Sequence, residues 1–73
     1  MKTDIARQIG EEMNDILRRL DSSIRLVMDN CTQAEFETYR SAVGRVMGAV
    51  VLDVLNPLYA SNPEAKPKGY DDE

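Results

Sequence analysis

Read at helical pitch, the run Val46-Met47-Gly48-Ala49-Val50-Val51-Leu52-Asp53-Val54-Leu55 is apolar around almost its whole circumference, so a helix formed there must be covered on more than one side. A chain of 73 residues has little with which to cover it. At this length a single core rarely supplies more than ~3–5 kcal/mol, and disulfides, a structural metal or association usually add the rest. Cys31 is the only cysteine and there is no histidine, which removes an internal disulfide and a closed Cys/His zinc site. Association remains, and neither a metal nor a cofactor is expected.

The N-terminal half reads as a second helix. Its apolar residues, Ile5, Ile9, Met13, Ile16, Leu17, Leu20, Ile24, Val27, Met28 and Cys31, follow one another at steps of three, four or one, whereas a strand would need steps of two. Ile5 and Ile16, Ile9 and Leu20, and Met13 and Ile24 repeat after eleven residues, about 3.67 per turn, which predicts a nearly straight rod. On the other face Asp15 precedes Arg19 and Asp21 precedes Arg25 by four residues, each pair contributing about 0.2–0.5 kcal/mol.

Thr32-Gln33-Ala34-Glu35 has the capping-box pattern, so a new helix begins there, with Cys31 and Phe36 placed as a hydrophobic staple. Asp29 and Asn30 are left to make a turn short enough to set the two helices antiparallel. Helix one is expected over about 4–29 and helix two over about 33–55, where Asn56-Pro57 ends or kinks it, with room for one further turn over 57–60. Residues 61–73, with Pro63, Pro67, Gly69 and Asp71-Asp72-Glu73, have the composition of a flexible acidic tail. The expected architecture is all-α: residues 1–60 as an antiparallel two-helix hairpin that pairs into a homodimeric four-helix bundle.

Composition disfavours several function classes. A net charge of −4 and a pI near 4.7 oppose binding to nucleic-acid backbones and anionic lipid. Met1 to Arg7 carry charges where a signal peptide needs an apolar run of ~7–15 residues. The tract Val46–Leu52, bounded by Arg45 and Asp53, is short of the ~20 residues that span a bilayer. These features predict a cytoplasmic protein with neither a membrane nor a nucleic-acid partner.

No catalytic constellation is expected either. Cys31 has no histidine base to activate it. Glu11, Glu12 and Asp15 lack the Glu-x-x-His partner of di-metal bundles and read as a solvated face, and Arg18, Arg19 and Arg25 are interleaved with Asp15, Asp21 and Asp29. Asn56-Pro57-Leu58-Tyr59 matches the NPxY pattern bound by some peptide-recognition domains, but four residues match by chance often and Asn then Pro reads as a helix stop.

Gly44 and Gly48, four apart with Ser41 and Ala49 nearby, each cost about 1 kcal/mol in a helix and are expected where another helix crosses closely. The alternative is a glycine tolerated with no contact role. The expected interface is Val43, Gly44, Val46, Met47, Gly48, Val50, Val51 and Val54, covered by a second copy in a non-enzymatic interaction or regulatory module. A different protein could cover it instead, as for an antitoxin or adaptor subunit. In layout, two matched helices joined by a tight turn, the chain resembles the Rop-type plasmid hairpins, which pair into four-helix bundles and bind RNA. That resemblance implies a dimer and, as a further alternative, an RNA-binding surface; it carries no motif that assigns RNA-contact residues.

Overall fold

The computed structural model describes residues 1–68, which are helical with no strand among the described residues. Helix α1 spans Thr3–Asn30 and helix α2 spans Gln33–Ala49. A widened π-helical turn, Val50–Leu55, carries α2 without a break into α3, Asn56–Ser61, and a 3-10 turn, Pro63–Ala65, follows. Partners along the two halves occur in reverse order. Tyr39 Oη donates to Ser23 Oγ at 2.9 Å, Asn14 Nδ2 to Tyr59 Oη at 3.4 Å, and Arg7 Nη2 to the Glu64 carbonyl at 2.9 Å, so the second helical run returns along the first. The radius of gyration, 14.6 Å, exceeds the roughly 11 Å of a compact domain of this length, as befits a rod of two helices.

Local chemistry fixes the joint between α1 and α2. The Glu35 N–H donates to Thr32 Oγ1 at 3.2 Å, while the Thr32 N–H and hydroxyl both donate to Glu35 Oε1 at 3.0 Å, completing the capping box. Asn30 does not supply a turn: it belongs to α1, and its Nδ2 donates back to the Leu26 carbonyl at 2.8 Å. Cys31 leaves the helix in an extended conformation with its N–H on the Val27 carbonyl. Its side chain is exposed and gains no cover as the outer half of a staple, while Phe36 is half-buried beneath the Arg40 guanidinium, 5.7 Å from the ring centroid. On the solvent face Asp15 pairs with both Arg18 and Arg19 at 3.4 Å, and Asp21 with Arg25 at 3.0 Å. All are exposed, so each contributes little.

Pro57 does not stop the second helix. Asn56 stays helical at φ −61° and ψ −47°, and the helix runs on to Ser61. A proline inside a helix lacks the N–H that would reach the carbonyl four residues back and its ring strikes that carbonyl, here that of Asp53. The turn before it widens instead, and the Asn56 N–H bonds to the Val51 carbonyl, five residues back. This changes which side chains face inward. In an unbroken α-helix Leu55, twelve residues after Val43, would lie about 120° away around the axis. The wider turn advances less per residue and returns Leu55 to the inner side, where it is 1% exposed.

Beyond Ser61 the chain stays packed as far as Ala65, contrary to a flexible tail beginning at Ser61. The N–H and Nδ2 of Asn62 both donate to the Leu58 carbonyl at 2.9 Å, which caps α3, and the Ala65 N–H donates to the Asn62 carbonyl at 3.0 Å. Ala65 is buried. The acidic close Asp71-Asp72-Glu73 lies outside the described residues. Ala6, Leu55, Leu58, Tyr59 and Ala65 form the buried cluster, at the end of the hairpin far from the Cys31-Thr32 joint, with Ile9, Met13, Leu17, Val50 and Val51 packed against it. Gly10 lets α3 approach: a methyl group there would run into Tyr59 Oη and lie 3.1 Å from Cε1 and Cζ of the same ring.

Candidate interaction surface

The apolar stripe of α1 is wider than the strip its own chain covers. Ile9, Ile16 and Ser23 succeed one another at seven-residue spacing, which in a helix returns almost to the same side, and Ile5 lies eleven residues before Ile16. On α2, Tyr39 and Val46 are likewise seven apart. The hydrogen bond from Tyr39 to Ser23 ties these two stripes together, so both belong to one broad side of the hairpin. Ile5, Ile16 and Val46 are exposed there, Val46 by 51%. Val54, eight residues beyond Val46, is brought toward the same side by the widened turn and is also exposed.

The residues expected at an interface do not share one side. Val43 is buried within the chain, Val50 and Val51 pack against the buried cluster, and Met47 is half-buried. Val46 and Val54 remain outward. Gly44 and Gly48 each stand two residues from Val46, about 200° around the helix, and a Cβ at either would meet nothing within 4 Å. They flank the back of the hairpin with Leu52, which is 66% exposed and four residues beyond Gly48. The glycine that a neighbour does approach, Gly10, was not singled out in the sequence. Its one local signal is the spacing Ala6-x-x-x-Gly10, two small residues on one side of α1 and both buried.

Toward the joint the apolar side changes relief. Ala34, Glu35, Thr38, Tyr39 and Ala42 line a shallow hollow of about 500 Å³ on α2, where small side chains replace the valines found further along. Glu35 is the only acid in it. The N–H and then the hydroxyl of Thr32 hold its carboxyl below the usual value of 4.5.

Other candidates resolve into structure. Asn56-Pro57-Leu58-Tyr59 is helical with Leu58 and Tyr59 buried, so it offers no extended peptide. Among the described residues no group of three or more His, Cys, Asp or Glu is placed to hold a metal ion. Glu11 and Glu12 are exposed, and Asp15 is occupied by its two arginines.

Because the helix runs on past Pro57, the continuous stretch Gln33–Ser61 is 29 residues, long and apolar enough to cross a membrane, although Val46–Leu52 alone is not. Only 17% of its most apolar eighteen-residue stretch is buried. The extra length over an end at Leu55 is Asn56–Ser61, which the widened turn joins to α2 without a break. No protein-family model matches this chain, and no curated protein or solved structure matches it.

Proposed function

We propose that this chain is a non-enzymatic interaction module that works as a homodimer, its apolar side closed by a second copy to give a four-helix bundle. The observation that carries the reading is the outward apolar side itself: Ile5, Ile16, Val46 and Val54 are exposed along one side, while among the described residues Leu55 alone is a large side chain fully buried. Full burial of one such residue contributes about 1.5–3 kcal/mol, little against the ordering of a chain this long. A partner that covered the exposed four would add contributions of the same kind. This side is largely apolar: Ser23 and Tyr39 are bonded to each other, and the hollow near the joint adds Thr38 and Glu35, whose carboxylate accepts from Thr32. An exposed Cys31 suits a reducing compartment, where it stays a thiol.

Light scattering on the full chain tests the reading. Twice the chain mass of 8.2 kDa is expected, and Val46→Glu, at a site already half in solvent, should return it to 8.2 kDa with its helicity partly retained. A folded wild-type monomer would reject it. So would a chain recovered only in vesicles or detergent, which would assign the helix Gln33–Ser61 to a bilayer instead.

A further inference from the structure

The apolar side has two unlike halves, and their order along the hairpin makes it complementary to itself. Away from the joint it is a ridge: Val46 and Val54 on the second helix, with Ile5 and Ile16 on the first, all project into solvent. Toward the joint it is the hollow lined by Ala34, Thr38, Tyr39 and Ala42, with Glu35, whose carboxylate accepts from Thr32, and with Ser23 beside it on α1. A second copy laid on this side can be related by a two-fold axis along the helices or by one across them. An axis along the helices stacks ridge on ridge and hollow on hollow, leaving a void at one end and a collision at the other. An axis across the helices exchanges the ends, so each ridge enters the partner's hollow.

Resting on the homodimer reading, we infer that the two copies pack with their joints at opposite ends, the two-fold axis crossing near Val46 so that the ridge at Val54 seats in the partner's hollow at Thr38. Thr38 and Val54 each lie eight residues from Val46 in opposite directions along the chain, so such an axis brings the level of one beside the level of the other. The size of the side is sufficient. The Cα envelope measures 45 × 23 × 16 Å, and even its narrower long side, 45 × 16 Å, is about 700 Å², comparable with the ~800 Å² that each partner of a standard interface contributes. Ala34 and Ala42 then take up a structural role, as the space into which a valine fits.

The test is cross-linking between two single-cysteine variants of the full chain, Thr38→Cys and Val54→Cys, each also carrying Cys31→Ser. Both sites are exposed, so each variant should keep the wild-type far-UV spectrum. In the across-axis dimer two copies of the same variant hold their thiols about 24 Å apart, sixteen residues along the helices, whereas a mixed pair holds them adjacent. Equal mixing followed by mild oxidation or a short bis-maleimide should give a cross-linked dimer several-fold above either variant alone. Doubled mass with no excess of mixed product would overturn the packing and leave the dimer standing. A mass of 8.2 kDa for the wild-type chain would instead remove the homodimer reading beneath it.

Discussion

Gly10 and the pair Gly44 and Gly48 are the same residue in the same kind of structure, yet their surroundings are opposite. At Gly10 the missing side chain is filled by the Tyr59 ring, held by a hydroxyl that accepts from Asn14, whose amide also donates to the Gly10 carbonyl at 2.9 Å. At Gly44 and Gly48 an added Cβ would meet nothing beyond its own stretch of helix within 4 Å. The helix penalty, about 1 kcal/mol, is the same at all three, but only at Gly10 does the chain's own packing offset it. A glycine in a helix therefore says that something permits it, while the neighbour decides whether that something is a contact. The end of the hairpin around Gly10 is where the fold is held, and the face of α2 at Gly44 and Gly48 is where it stays open.

That contrast can be broken most forcefully at the held end. Leu55→Ala removes the one large side chain that is fully buried among the described residues and should cost about 2–5 kcal/mol by thermal or urea unfolding. A loss below about 1 kcal/mol would mean that the cluster around Ala6 does not hold the fold. Gly10→Ala should destabilise by about 1–2 kcal/mol, because displacing a buried tyrosine ring costs more than the gain in helix propensity.

Gly48→Ala and Gly44→Ala should change stability with the opposite sign, raising it by about 0.5–1 kcal/mol each with no change in solution mass. Loss of mass in either would move the contact to the back of the hairpin, where Leu52 is also exposed.

The smallest effect belongs to Glu35. A carboxyl held below its usual value stabilises the folded state while ionised, so its contribution is complete above 4.5 and is lost as pH falls through the lowered value. Acidification should therefore fray the first turn of α2, read as faster amide exchange there, and Glu35→Gln should flatten that dependence.

Much of this was legible in the residues. The spacing from Ile5 to Cys31 and the sequence Thr32-Gln33-Ala34-Glu35 specify α1 and the start of α2, because amphipathic periodicity and capping are local. The ion pairs of Asp15 with Arg19 and Asp21 with Arg25 are local too. Past Leu55 the residues left an end, or a kink with one further turn, and did not show the widened turn. Asn56-Pro57 reads as a stop by local rules, and only the burial of Leu55, Leu58 and Tyr59 against Ala6 and Gly10, some fifty residues away, makes a widened turn preferable to an end. The apolar side was legible as a quantity but not as a surface. Which of the residues from Val43 to Val54 face outward depends on the turn that the proline imposes.

That turn makes the second helix one amino acid too long for the job it does. Without the surplus, Leu55 would stand eleven residues after Val43, the interval at which α1 repeats its own apolar positions, and an ordinary helix would bring it to the same place. Excising Leu52, whose side chain lies mostly in water, should leave the chain still able to clasp Tyr59 against Gly10 through a plain α-helix. The proline would then be the only irregularity left to accommodate. A helix spliced in this way has two rotational settings, one for the part that meets its own chain and one for the part turned outward, and a change of a single residue in its length can reset one against the other.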